Sequence, residues 1–179
     1  MTVIAAISTD DGLFLGYNEG SELSGSPVSG GYVPWIFFGE WALGITGQSS
    51  VQRVLLSKLE DIDQANADPY QVIGSIESIL ISNFIGMKAD DDIVNSYGIF
   101  GILAHKKGFV WDVSDCLSLA GIPKGDLWAR GSGSEYCLGA HRGILKTQGK
   151  IVEDHLKICV EVAIESDIYC VGIPTVVKL

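Results

Sequence analysis

No lysine or arginine precedes Arg53, and the 179-residue chain carries 12 basic side chains against 22 acidic ones, a net charge of -10. Proteins that grip phosphate backbones do so with clustered basic side chains, so nucleic acid is not an expected partner. Long apolar runs are lacking too. The stretch from Tyr97 to Ala104 is among the longest, far short of the roughly 20 residues that cross a bilayer, so no membrane span is expected. The opening, MTVIAAISTDDG, has no basic region ahead of its apolar run, which ends at Ser8; it reads as mature protein rather than a signal peptide. The four cysteines, Cys116, Cys137, Cys159 and Cys170, include no C-x-x-C pair. With no secretory segment, the expectation is buried, reduced thiols in a cytoplasmic protein. The three histidines, His105, His141 and His155, show no ligand spacing. Neither metal nor cofactor is expected, and His155 is assigned to a helix surface.

What is present suits one domain over residues 1–179. A composition 47% hydrophobic with 22 glycines describes a strand-containing globule that folds without cross-links. Thr2 to Ile7 and Leu13 to Tyr17 form a hairpin about Thr9-Asp10-Asp11-Gly12, and Tyr32 to Phe38 with Trp41 to Thr46 form a second about Gly39-Glu40. Between them, Gly20 to Gly31 is Ser/Gly-rich with little to bury and reads as solvated linker, with Glu22, Ser24 and Ser26 as the alternative lining of a pocket. Val51, Val54, Leu55 and Leu59 define a helix beginning at Ser49 or Ser50. Asp68-Pro69 opens another, with Val72, Ile73, Ile76, Ile79, Leu80 and Phe84 on one face. The acidic Asp90-Asp91-Asp92 reads as a solvated loop. Strands return at Tyr97 to Ala104, Gly108 to Val113 and Leu127 to Arg130. Helices follow at about Ser134 to Lys146 and Val152 to Ile168, then a last strand at Thr175 to Lys178. Two antiparallel sheets packed face to face, with a helix layer outside each, would bury every apolar face in that order: an α+β, four-layer αββα sandwich. The four tryptophans, each in a strand-like run, read as core or subunit-contact residues.

Three pieces of sequence carry a family resemblance: the Thr2 strand opening, WALGITGQSSVQRVLL (Trp41 to Leu56), and ARGSGSEYCLGAHRG (Ala129 to Gly143) followed by AIESDIYCVGIPTVV (Ala163 to Val177). In this order they resemble the proteasome β-subunit family and its HslV-type relatives, the N-terminal-nucleophile hydrolases. The resemblance implies that Thr2, once Met1 is removed, is the nucleophile, with its α-amine accepting the hydroxyl proton. It implies a supporting carboxylate, matched to Glu19, and an oxyanion-hole glycine, matched to Gly47. Ser132 and Asp167 match the residues that support the threonine, and Cys170 stands where the family has serine. The family's lysine has no counterpart: Trp35, or its neighbour Pro34, takes that position, and the first lysine of the chain is Lys58.

Loss of a charge aimed at the nucleophile removes transition-state stabilisation, so the chain reads as a proteasome-like protein without ordinary peptidase activity, with a scaffold or binding role. The alternative is an N-terminal-threonine amidohydrolase using Thr2, Glu19 and Asp167 on a peptide or amide substrate without lysine. A third reading is an unrelated α/β binding domain. The resemblance further implies a homo-oligomer, in a ring in its relatives, and an unfolding ATPase as partner.

Overall fold

A computed structural model describes residues 2–23, 26–29, 33–47, 49–59, 67–83, 87–88, 95–149, 151 and 154–179. Strand β1 (Val3–Thr9) pairs antiparallel with β2 (Gly12–Leu23) through the turn at Asp10-Asp11. Together with β11 (Leu127–Gly131) and β12 (Ile173–Lys178) they form the first sheet in the order β11-β1-β2-β12, and β3 (Ser26–Ser29) pairs with the far end of β2. The second sheet runs β10-β9-β8-β5-β4, built from β4 (Trp35–Phe38), β5 (Trp41–Gly47), β8 (Ile99–His105), β9 (Phe109–Val113) and β10 (Leu119–Ile122). A short pair, β6 (Met87–Lys88) and β7 (Asn95–Ser96), lies apart from both.

The burial of β1 shows why its sequence is continuously apolar rather than alternating. Val3, Ala5 and Ile7 pack under helices α3 (Ser134–Gln148) and α4 (His155–Ser166), whereas Ile4 and Ala6 face the other sheet. A strand covered on both faces needs apolar residues at every position. β5 repeats the pattern. Trp41, Leu43 and Ile45 pack against α1 (Ser49–Leu56) and α2 (Pro69–Ser82), and Ala42 joins the inter-sheet cluster. The layers are therefore α3/α4, first sheet, second sheet and α1/α2, as the element order requires.

Several expectations need correction. β2 continues beyond Tyr17 to Leu23 and pairs with β3, so the Ser/Gly-rich segment contributes strand where linker was expected; pairing backbone groups need no apolar side chains. β10 was not anticipated, because its burial pattern leaves Ala120 and Gly121 exposed on an edge strand. Helix α4 begins at His155, and His155 is buried at 3% exposure, not a surface residue. Phe84, Ser24, Tyr32, Val152 and Asp90 to Asp92 lie outside the described residues, as do the side chains of Glu22 and Ser26.

Candidate active site

The start of β1 is clamped by its neighbours. Val3 lies opposite Gly131 in β11, and Gly131 has φ +102; a Cβ there would stand 1.9 Å from the carbonyl oxygen of Thr2. Only glycine allows this approach. Gly131 also abuts Thr46, whose Cγ2 would be 3.3 Å from the same Cβ, so Thr2 sits beside the end of β5. Gly47 follows Thr46. It has φ +124, and a Cβ there would lie 2.4 Å from the carbonyl oxygen of Gly98. Close packing of β5 on the chain before β8 thus demands glycine at 47 whatever its N–H does.

Thr2 is buried, and its hydroxyl donates to Oδ1 of Asn18 at 2.5 Å. The backbone N–H of Val3 donates to the same oxygen at 2.7 Å, and Asn18 Nδ2 donates to the carbonyl of Val171 at 2.9 Å. These bonds fix which way the fully buried amide faces: its oxygen to Thr2, its nitrogen to the 167–171 loop. Glu19, the expected carboxylate, does not meet Thr2. Successive side chains of a strand leave opposite faces, so Asn18 turns to Val3 and Thr2 while Glu19 accepts a bond from Thr175 on β12 at 2.7 Å. The residue that sequence reasoning missed was adjacent to the one it chose, and the extension of β2 through residue 19 was the signal that would have found it.

A second cluster lies against the first. Asp167 accepts from the N–H of Tyr169 at 3.0 Å and from the thiol of Cys170 at 3.3 Å, and Ser132 Oγ lies 3.6 Å from the Cys170 sulfur. Gly133 brings this cluster to the strand: a Cβ on it would lie 2.8 Å from Cys170 Sγ and 3.3 Å from Val3 Cβ. Burial raises the energy of an ionised Asp167, but hydrogen bonds from Ser132, from the Tyr169 N–H and from Cys170 outweigh it and hold the carboxyl below its ordinary value. Burial pushes the Cys170 thiol up to about 11, which leaves it protonated and unreactive at neutral pH. Ser132, Asp167 and Cys170 thus meet behind Thr2, Gly47 borders the group through Thr46, and Glu19 stands apart.

Trp35 fills the space between the sheets. It is 2% exposed, its indole N–H lies 3.4 Å from the carbonyl of Gly16, and Gly44 opposite makes room for the ring: a Cβ on Gly44 would come within 3.0 Å of it. The arrangement can hold a threonine hydroxyl in one orientation. A neutral amide oxygen has too little basicity to take the proton that hydroxyl donates, whereas a carboxylate can act as a base.

Among the described residues no group of three or more His, Cys, Asp or Glu could hold a metal. A cavity of about 1140 Å³ opens at the far end of β1, beside Phe14, Lys124, Ile151 and Leu156, away from Thr2. No described helix is long and apolar enough to cross a membrane.

No protein-family model and no curated protein sequence matches the chain. Solved structures do. BPH from Thiobacillus denitrificans is similar with TM-score 0.77 at 20% identity, covering 100% of this chain and 98% of that one. HslV from Trypanosoma brucei gives TM-score 0.71 at 13% identity over 98% and 97% of the two chains. An Anbu (Gly-1) mutant from Hyphomicrobium sp. strain MC1 gives 0.68 at 11% identity over 100% and 81%. The expected sandwich is therefore borne out, and the chain has the fold of the proteasome-type N-terminal-nucleophile hydrolases in a strongly diverged sequence.

Proposed function

We propose that this is a proteasome-like protein whose Thr2 end receives peptide without hydrolysing it, in a self-associating particle of the cytoplasm. The observation that carries the reading is the hydrogen bond from Thr2 Oγ1 to the Asn18 amide, taken with the buried indole of Trp35. On this reading Asn18 and Trp35, both neutral, stand in for the two charged partners that the family resemblance calls for. A lone carboxylate or a lone lysine here would be a buried, unpaired charge, which costs several kcal/mol. Ser132 and Asp167, which match the family's threonine-supporting residues, meet beside Cys170, which favours a binding role over an unrelated one.

Intact mass spectrometry of the purified chain, before and after incubation with a β-lactone that acylates N-terminal threonine, tests the reading. Epoxomicin, the compound in complex with BPH in a further solved structure, serves as a second probe. The expected result is no adduct at Thr2 and no cleavage of added peptides. An adduct that disappears in Thr2→Ala would promote the amidohydrolase alternative.

A further inference from the structure

The open end of the space between the sheets carries a second set of side chains that the Thr2 cluster does not use. Strand alternation identifies it. Ile4 and Ala6 of β1, Ala42 of β5, Ile102 and Ala104 of β8 and Val110 of β9 all face the inter-sheet cluster, and Trp128 of β11 packs against it. Further along the same faces come Phe100, Asp112 and Arg130, each two residues on from Ile102, Val110 and Trp128, and Thr46, four residues on from Ala42. They lie at the Thr2 end: Arg130 is opposite Ile4, Phe100 is opposite Thr46, and Thr46 Oγ1 donates to the Phe100 carbonyl at 3.1 Å. There the packing stops, and Phe100 is 44% exposed.

Arg130 is held on three sides. Its Nε donates to Asp112 Oδ1 at 2.6 Å, its Nη2 donates to Asp112 Oδ2, and the indole N–H of Trp128 donates to Asp112 Oδ1 at 2.9 Å. The guanidinium carbon lies over the Phe100 ring at 5.5 Å and over the Trp128 ring at 5.6 Å. Two aromatic faces and a two-point carboxylate contact fix the plane of the group. Among the described residues nothing takes the remaining N–H groups, and the side chain is 29% exposed. A donor locked before its acceptor arrives binds at a lower entropic cost than a free arginine would.

The geometry points to Arg130 and Phe100 as a peptide-binding subsite at the Thr2 end of the two sheets, the guanidinium edge donating to a main-chain carbonyl of an extended peptide and the Phe100 ring packing an apolar or aromatic side chain of it. A neutral acceptor fits better than an anion. Asp112 already balances the Arg130 charge, and the chain's net charge of -10 repels an acidic segment. This inference rests on the reading of the Thr2 end as peptide-receiving and adds the class of peptide it takes.

The test uses two capped peptides, acetyl-Ala-Ala-Phe-amide and acetyl-Ala-Ala-Glu-amide, titrated into the full chain while the Trp128 indole N–H and Arg130 Nε–H signals are followed by NMR. The aromatic peptide should shift both signals and bind at least ten-fold more tightly than the acidic one. Phe100→Ser, at a half-exposed position that leaves the Asp112 contacts intact, and Arg130→Lys, which keeps the charge beside Asp112 but loses the fork, should each weaken it at least ten-fold. Signals unmoved at millimolar peptide, equal binding of the two peptides, or binding unchanged in both variants would each overturn the subsite. Mass spectrometry of the peptides after the titration separates this from the functional reading: cleavage would sink the non-hydrolytic role whether or not the subsite stands.

Discussion

Asn18 is the residue on which the Thr2 end depends, because one amide group serves three partners: the Thr2 hydroxyl, the Val3 N–H and the Val171 carbonyl. In Asn18→Ala those groups stay buried without acceptor or donor, and each unsatisfied group costs about 1–3 kcal/mol. With at least about 1 kcal/mol for each of the three groups, urea unfolding should show a loss of about 3 kcal/mol or more, and a loss below about 1 kcal/mol would mean that water replaces the amide. Gly131→Ala should be worse. Its Cβ would overlap the Thr2 carbonyl, so β1 and β11 could not keep their register; the variant is expected in the insoluble fraction. At this scale the sequence was half legible. Thr2, Ser132, Asp167 and Cys170 announce themselves through motif, but Asn18 follows from knowing which face each residue of β2 takes, and that depends on where the strand ends. Arg130, Phe100 and Asp112 lie on three strands, and nothing in their spacing along the chain brings them together.

The helices α3 and α4 are joined by two buried imidazoles. His141 Nδ1 lies 2.8 Å from His155 Nε2, and His155 Nδ1 is buried with no hydrogen-bond partner among the described residues. Burial lowers the pKa of both. For His141 the nearby Asp126 opposes this and Arg142 adds to it, and for His155 the neighbouring His141 adds to it. His105 is lowered as well, by burial that outweighs the attraction of Glu40. A base whose folded pKa is depressed is protonated first in the unfolded chain, so stability is lost as pH falls below about 6.5, the unperturbed value, toward the folded pKa. Thermal unfolding followed from pH 7.5 to 5.5 should show Tm falling steadily, with a shallower slope in His155→Phe; an unchanged Tm across that range would contradict it. The elements themselves were largely legible. Val51, Leu55, Val72, Ile76 and Leu80 repeat at helical spacing and are buried, and β1 and β5 read as apolar runs. What escaped were β3, β6, β7 and β10, whose stability comes from pairing to a neighbour, and the buried face of His155, which a polar residue at a helix start does not advertise.

For the whole molecule, the sandwich buries three apolar clusters in series, and the middle one belongs to both sheets. Leu15 there is fully buried, as is Leu55 on the inner face of α1. Leu15→Ala and Leu55→Ala should each cost about 2–5 kcal/mol. Both should preserve a single unfolding transition, since neither sheet can keep its inner face covered without the other. The surface left over bears on assembly. Ile168 is 83% exposed and Ile173 67% exposed, with Tyr169 between them half-exposed. All three belong to the segment that carries Asp167, Cys170 and the Val171 carbonyl holding Asn18. Apolar side chains of this size gain about 1.5–3 kcal/mol each when fully covered, and on a chain of net charge -10 an uncharged patch is where two copies approach with least repulsion. Sedimentation velocity should therefore show a species larger than the 19.2 kDa monomer, shifting toward monomer in Ile168→Asp. Because the same segment anchors Asn18, dissociation should also move the Asn18 side-chain amide signals in an NMR spectrum. A protein that sediments as a monomer at tens of micromolar would remove self-association from the reading, while leaving the Thr2–Asn18 contact untouched.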